Sequence, residues 1–170
     1  MAAAHANPSF QDAKPHPRVG VGVLLVDKLG RVLLTLRNRP PEAGFWSIVG
    51  GKVDYLETLQ QCAVRETREE VGLEIRLVRL LCVTDHHLPQ EGQHWVSPAY
   101  LGEVLAGEAR NCEPEKTRQV CWFPLGDLPP NLTITARNAI AAYTRQFPHL
   151  LNTSSPTENS PLTTKNPPML

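Results

Sequence analysis

A cluster of acidic residues is the strongest chemical signal in this sequence. Positions 51–73 read GKVDYLETLQQCAVRETREEVGL, with a glycine at or near each end. The glutamates of this segment are Glu57, Glu66, Glu69 and Glu70. Carboxylates held this close repel one another unless a positive group lies among them. The spacing therefore predicts a divalent cation, for which carboxylate oxygens are suitable ligands.

Three of the glutamates lie on a predicted helix. Thr58 and Gln61 fit a capping box at its start, and Gly72 fits the glycine that commonly follows a helix. Apolar and small residues recur at helical spacing and form the expected buried stripe: Leu59, Cys62, Ala63, Thr67 and Val71. The pattern predicts a helix that packs one face against a core.

The carboxylates of this helix are expected to share a face. Glu66, Glu69 and Glu70 are three or four residues apart, which places them together and opposite the Leu59/Ala63 stripe. Like charges at this spacing are unfavourable on an exposed helix, and Arg65 is placed to offset part of the repulsion. The same arginine is placed to orient Glu57.

The Gly50–Gly51 pair before the helix is expected to admit phosphates. Glycine has no Cβ, so its backbone can approach a ligand closely. Magnesium is typically held by one or two carboxylates together with substrate phosphates, which suits this arrangement. A less specific alternative stays open, in which the segment is an acidic, solvated helix face with a capping box.

The segment resembles the signature box of the Nudix hydrolases, the MutT-like pyrophosphohydrolases. The matching positions are Gly51, Glu57, Arg65, Glu66, Glu69, Glu70, Gly72 and Leu73. Two positions depart from the family pattern. Thr67 stands where an aliphatic residue is usual, and Val49 stands where many members have proline. Neither departure removes a ligand.

The resemblance implies a reaction and a cofactor. Nudix enzymes cleave a nucleoside diphosphate linked to a variable group X, by attack of water on a phosphorus with Mg²⁺, or Mn²⁺ in its place. The implied metal ligands are the Gly50 carbonyl, Glu66, Glu69 and Glu70, with Glu66 and Glu70 as the principal ones. Arg65 and Glu57 correspond to a pair that orients the site.

The general base is left open by the resemblance. Some members use a glutamate of the box, and others use a glutamate on a later loop. Glu113 and Glu115 lie in such a loop, NCEPEKTR, although a solvated turn explains them equally well. The implied catalytic residues are Glu57, Arg65, Glu66, Glu69, Glu113 and Glu115.

Residues outside the box must select the group X. Phe45, Trp46 and Trp95 are candidates for stacking on a base, although aromatic residues in strands are usually buried. Arg37 and Arg39 are candidates for binding phosphates. The expected substrate contacts are Arg37, Arg39, Trp46, Trp95 and Gly51. His86 and His87 open a predicted loop and are further candidates.

Two substrate classes compete. The compact length and the NCEPEKTR loop resemble small nucleoside-triphosphate pyrophosphohydrolases, so a (d)NTP is the favoured substrate. Pro89, sixteen residues after Leu73, resembles a proline of ADP-ribose pyrophosphatases, and ADP-ribose or a nucleotide sugar is the alternative. A non-catalytic nucleotide sensor is disfavoured, because such proteins usually lose one or more acids of the box.

The elements around the helix predict an α+β fold. Strands are expected at 19–26, 32–36, 45–49, 75–84, 94–104 and 120–123, and a closing helix at 135–146. We expect a hairpin between the first two strands, a loop at 86–93, and Pro98 at an edge or bulge. With the resemblance, this is a Nudix-type α/β/α sandwich with a mixed β-sheet and a central carboxylate-bearing helix.

Composition bounds the remaining possibilities. We place one domain at 18–148, with disordered segments at 1–17 and 149–170. A formal net charge of zero argues against nucleic acid polymers and anionic membranes as partners. No apolar run is long enough to span a membrane, no secretory signal is evident, and the four cysteines lack metal spacing. We therefore expect a cytoplasmic protein with a nucleotide substrate; the resemblance adds a homodimer as one assembly.

Overall fold

A computed structural model describes residues 16–148. The expected disordered segments, 1–17 and 149–170, lie outside this range except for positions 16 and 17. The strands are β1 Arg18–Leu25, β2 Arg31–Arg37, β3 Trp46–Ser47, β4 Val49–Lys52, β5 Glu74–Leu88, β6 Gln93–Ala106 and β7 Thr117–Pro124. The helices are α1 Leu59–Val71 and α2 Ile134–Gln146, and a short 3₁₀ turn, Pro89–Glu91, joins β5 to β6. No helix within the described range has the length and apolarity that a membrane crossing requires.

The strands form two sheets. The larger sheet is mixed, in the order β4-β1-β6-β5, because β1 pairs antiparallel with β4 and parallel with β6. The smaller sheet, β3-β2-β7, is antiparallel. The α+β class with a mixed sheet is therefore confirmed. The predicted short strand at 45–49 is divided between the two sheets, as β3 and β4.

The predicted hairpin of β1 and β2 is wrong beyond its turn. Val26 and Val32 form an isolated antiparallel bridge, and the two strands then enter different sheets. Both strands are buried over most of their length, with Val23 and Leu33 fully inaccessible to solvent. Strands with two buried faces need cover on each side, which a hairpin with one solvated face does not provide.

The expectations for the β5–β6 region also need correction. β5 continues to Leu88, so His86 and His87 belong to a strand and not to a loop. β6 lies between β1 and β5, so Pro98 is in an interior strand and not at an edge. The pairing of β6 with β1 passes from Val96 to Ala99, and Pro98 occupies this gap, where its missing N–H is tolerated.

Alternate residues of β1 face two separate clusters of the core. Val21 and Val23 pack with Cys62 and Ala63 of α1. Leu24 belongs instead to the cluster that contains the buried residues of α2. The helices therefore cover opposite sides of the strands, which confirms the sandwich. Each fully buried valine or leucine contributes about 1.5–3 kcal/mol, so this packing fixes α1 firmly over β1 and β4.

Candidate active site

The ends of α1 set the positions of its carboxylates. The predicted capping box is present, since the Gln61 N–H donates to Thr58 Oγ1 (3.2 Å) and the Thr58 N–H donates to Gln61 Oε1 (2.9 Å). At the other end Gly72 has φ +71° and its N–H donates to the Arg68 carbonyl. Thr67 is buried and its hydroxyl donates to the Ala63 carbonyl, which explains why an aliphatic residue is not required there.

Two carboxylates of α1 converge on the Gly50–Gly51 turn. Glu70 Oε2 accepts a hydrogen bond from the Gly50 N–H at 3.1 Å. Glu66 lies over Gly51 so closely that a Cβ at position 51 would come within 2.5 Å of Glu66 Oε2. Gly50 has φ +151°, and a Cβ there would collide with the Val21 carbonyl. The glycines are therefore required for two different reasons, backbone conformation at Gly50 and space for a carboxylate at Gly51.

The glutamates of α1 are not equivalent. The side chains of Glu66 and Glu69 are 14% and 52% exposed, so the expectation of one common face opposite the core is wrong in part. Glu66 and Glu70 border the buried stripe and face the turn, whereas Glu69 faces solvent. The difference follows from the position of β4, which covers one side of the helix.

Burial perturbs the two inner carboxyl groups. Burial raises the pKa of Glu70 to about 8, reinforced by the charges of Glu66 and Glu113 and opposed by the Gly50 hydrogen bond. Burial also raises the pKa of Glu66, while Arg65 opposes the shift. A carboxyl group whose ionised form is this unfavourable has most to gain from a cation beside it.

Arg65 joins the acidic residues to one another. Its Nε and Nη2 donate to the two oxygens of Glu57 at 2.7 and 2.9 Å, so the predicted pairing of these residues is present as a bidentate contact. Its Nη1 donates to Glu66 Oε1 at 2.7 Å and to Glu69 Oε2 at 3.0 Å. Through its hydrogen bonds, Arg65 lowers the pKa of Glu57 to about 2. Glu57 is thus held as a carboxylate in front of the helix.

The two glutamates of the NCEPEKTR loop differ in position. Glu113 Oε1 accepts from Lys116 Nζ at 2.7 Å, and Glu113 Oε2 is buried without a hydrogen-bond partner. Glu113 is close enough to Glu70 to raise its pKa. Glu115 is exposed, and its backbone carbonyl accepts a hydrogen bond from Asn38 Nδ2 at 3.3 Å. The fold therefore brings Glu113, and not Glu115, to the carboxylates of α1.

The donor set suits a hard divalent cation. Glu66 and Glu70 provide carboxylate oxygens at the turn, and the unpartnered buried oxygen of Glu113 is a third acidic atom in the same region. Within residues 16–148, no three His, Cys, Asp or Glu side chains are already gathered around one point as a ligand set. Glu66 instead accepts a hydrogen bond from Arg65. The chemistry of these oxygen donors fits a divalent metal ion.

A cavity adjoins this turn, and we call it the main cavity. Its walls include Arg37, Gly50, Gly51, Lys52 and Trp95. A second cleft shares Arg37 and Gly50 with it and contains Arg39, Glu70 and Lys116. Of the predicted substrate contacts, Arg37, Gly51 and Trp95 therefore line the main cavity, and Arg39 lies in the cleft beside Glu70.

The aromatic candidates for base stacking also differ in whether they line the main cavity. Trp46 is 8% exposed and packs edge-on against Phe123 in the core, so it is not available for stacking on a base. Trp95 lines the main cavity, with Nε1 donating to Gln93 Oε1 and the Arg18 guanidinium 5.4 Å from the ring centroid. Phe45 is part-exposed outside the main cavity.

The two candidate histidines differ in position. His86 lines the main cavity, whereas His87 contacts His94 on the other face of β5. Glu42 and Lys116, by contrast, were not predicted from the sequence. Glu42, 20% exposed, lies 3.7 Å from the His86 ring through its Oε2. Lys116 approaches Glu66 and Glu70 as well as Glu113. Glu42 belongs to no motif, and only its place in a Pro-rich loop after Arg37 could have drawn attention to it.

Comparison with known proteins places these features in a family. The model of the NUDIX domain matches residues 16–143. The chain is 46% identical to the MutT NUDIX hydrolase from Burkholderia pseudomallei, a solved structure; the match has a TM-score of 0.69 and covers 75% of this chain and 98% of that one.

Two curated relatives are more distant. The ADP-ribose pyrophosphatase of Methanocaldococcus jannaschii is 31% identical over 114 residues, which are 67% of this chain and 66% of that protein. The NAD-capped RNA hydrolase NudC of Chromobacterium violaceum is 31% identical over 67% of this chain, but the chain spans only 41% of its length. The family match covers α1, the glycine turn and both sheets. The chain belongs to the NUDIX domain family.

Proposed function

We propose that this chain hydrolyses the pyrophosphate bond of a nucleoside diphosphate linked to X, with Mg²⁺ as cofactor. The observation that carries the proposal is the convergence of Glu66 and Glu70 on the Gly50–Gly51 turn, with the Glu70 carboxyl buried among like charges. Glu66 and Glu70 would hold the ion, with the Gly50 carbonyl and Glu69 assisting. The bound ion supplies neutralisation of the phosphate oxygens and polarisation of the attacked phosphorus.

The remaining residues of the site position the substrate and the water. Arg37 and Lys52 lie on the cavity wall beside the turn, where their charges attract the phosphates. Arg65 and Glu57 hold one another and thereby fix the side of α1 that carries Glu66. Glu113 is the preferred general base, because its Oε2 is buried and has no other hydrogen-bond partner.

A (d)NTP is the proposed substrate, because the NCEPEKTR loop, which resembles that of small nucleoside-triphosphate pyrophosphohydrolases, brings Glu113 close to Glu70. ADP-ribose is the second candidate, favoured by the similarity to the Methanocaldococcus pyrophosphatase. Pro89, which suggested ADP-ribose, lies in the 3₁₀ turn and outside the main cavity. It therefore adds no support to that candidate.

The reaction is tested with a substrate panel and magnesium. Phosphate or pyrophosphate release is measured for the (d)NTPs, ADP-ribose, nucleotide sugars, dinucleoside polyphosphates and NAD-capped RNA. Glu70→Gln keeps the size of the side chain and should abolish turnover while the melting temperature is maintained. Unchanged turnover in this variant would remove Glu70 from the metal site. A higher kcat/KM for ADP-ribose than for every triphosphate would replace the proposed substrate.

The general base is tested with a matched pair from one loop. Glu113→Gln should lower kcat by about 100-fold or more, since a positioned base contributes about 10²–10⁴-fold. Glu115→Gln is the same substitution at an exposed glutamate of the same loop, and it should leave kcat within about twofold of wild type. Equal effects of the two substitutions would move the base to another residue.

A further inference from the structure

Glu42 presents a carboxylate inside the main cavity that the proposed reaction does not use. The residue lies in the loop between β2 and β3, where its backbone adopts φ +56°, a left-handed conformation that is unusual for glutamate. It lines the main cavity beside His86 of β5, at the opposite edge of the larger sheet from the glycine turn on β4. A strained acidic residue on a cavity wall indicates a specific placement of its side chain.

One oxygen of the Glu42 carboxylate is held by a hydrogen bond, and the other is available to a ligand. Glu42 Oε1 accepts from the Ile134 N–H at 3.2 Å, at the first residue of α2. That helix already has a cap, because Thr133 Oγ1 accepts from the Ala136 N–H. Glu42 Oε2 accepts no hydrogen bond from any residue that the structure describes, and the His86 ring nitrogen stays 3.7 Å away, beyond hydrogen-bond distance.

The loop that carries Glu42 is tied to the phosphate side of the cavity. Arg37 Nε donates to the Pro41 carbonyl at 2.7 Å, and the Phe45 N–H donates to the Glu42 carbonyl at 3.1 Å. Arg37 therefore links the loop of Glu42 to the cleft that contains Glu70. The Glu42 carboxylate approaches His86 of β5, whereas the glycine turn belongs to β4, and these strands are the two edges of the larger sheet. Cations therefore lie beside the turn, and an anion lies at the opposite end of one cavity.

A carboxylate accepts hydrogen bonds and repels phosphate. A nucleotide whose phosphates bind at the Gly50–Gly51 turn must therefore point its heterocycle towards Glu42. We propose that Glu42 is the residue that recognises the nucleobase, by accepting a hydrogen bond from an exocyclic amine of a planar base. This inference rests on the proposed function for its substrate class. Trp95, which pairs with His86 across β5 and β6, also lines the cavity and offers a ring face for the base.

Pairs of nucleotides that differ by one amine test the proposal. The pairs are dGTP with dITP, and dATP with the triphosphate of purine deoxyriboside. A hydrogen bond to a charged group contributes about 1.5–3 kcal/mol, so wild type should prefer the amine-bearing member of at least one pair by roughly 10- to 150-fold in kcat/KM. Glu42→Gln retains the bond to Ile134 and should reduce this preference, and Glu42→Ala should bring it close to one.

Glu108→Gln is the matched control, since Glu108 is an exposed glutamate outside the cavity and should keep the wild-type preference. If neither Glu42 variant changes the ratio of kcat/KM within the pairs, Glu42 only anchors α2 and the proposal is wrong. The proposal is also wrong if wild type shows no preference for the amine-bearing nucleotide in either pair.

Binding separates this inference from the proposed function. The dissociation constants of GMP against IMP, and of AMP against purine riboside monophosphate, are measured by calorimetry without turnover. A preference for the amine in wild type that is lost in Glu42→Ala supports the inference even if no triphosphate is hydrolysed. Hydrolysis with equal binding of both members in wild type and variant overturns the inference and leaves the proposed function intact.

Discussion

Replacing each glycine of the turn by alanine should have a different effect: Gly51→Ala should impair activity, and Gly50→Ala should destabilise the fold. At Gly51 the added Cβ would be 2.3 Å from Glu66 Cδ, whereas real Cβ atoms essentially never approach closer than 3.0 Å. The Glu66 carboxylate must therefore move away by about 0.7 Å, the difference between these two distances, which the end of a flexible side chain can do without unfolding the protein. At Gly50 the obstacle is the Val21 carbonyl of β1, which cannot move in this way.

The magnitudes follow from these obstacles. A displacement of about 1 Å at a reacting centre costs on the order of 10²-fold in rate, so Gly51→Ala should lower kcat/KM by about 10- to 100-fold and weaken Mg²⁺ binding. Its melting temperature should stay within about 2 °C of wild type, because the change in stability is small. Gly50→Ala combines a left-handed φ with a backbone collision and should cost more than about 2 kcal/mol of unfolding free energy.

The assays are pyrophosphate release under saturating Mg²⁺, calorimetric titration of Mg²⁺, and thermal unfolding of both variants. A Gly51→Ala protein with wild-type activity would refute the assignment of Glu66 to the metal site. A Gly51→Ala protein as unstable as Gly50→Ala would refute the distinction between the two glycines.

Three further outcomes are expected. The pKa of Glu70 is raised from 4.5 to about 8 in the folded protein, so between these pH values the metal-free folded state binds a proton that the unfolded state does not. The free energy of unfolding should therefore fall as pH rises from 4.5 to about 8. In urea unfolding, Glu70→Gln should remove this pH dependence, and Mg²⁺ should reduce it. Burial raises the pKa of Cys62 to about 12, so iodoacetamide at pH 8 should alkylate the exposed Cys112 before Cys62, as followed by mass spectrometry. Alkylation of Cys62 before Cys112 would contradict the burial of Cys62. Gly72→Ala, at φ +71°, should lower the free energy of unfolding by about 1 kcal/mol, and no change would contradict the cap.

Local patterns predicted the helix and its ends well. The capping box at Thr58, the stripe through Ala63 and the cap at Gly72 are all short-range features, and each is present as expected. The contact of Arg65 with Glu57 was also predictable, because both residues are tied to the start of one helix. Family membership and the sandwich followed from the same segment and are confirmed.

Features that depend on distant chain segments were not predictable in this way. Trp46 and Trp95 are both aromatic residues in strands, and they are distinguished by distant contacts such as the packing of Phe123 on Trp46. Glu113 and Glu115 are two residues apart, and the side of the loop that faces Glu70 decides between them. The separation of β1 and β2 into two sheets likewise depends on partners far along the chain.

The contacts of Arg65 have a consequence for how a cation enters the site. One guanidinium nitrogen already occupies Glu66 Oε1. Oε2 of the same carboxylate accepts no hydrogen bond from the residues that the structure describes, so the arginine holds one oxygen and leaves the other to face a cation. The same contact opposes the rise that burial causes in the pKa of Glu66. Arg65 would thus both orient Glu66 and favour its ionised form before the ion arrives.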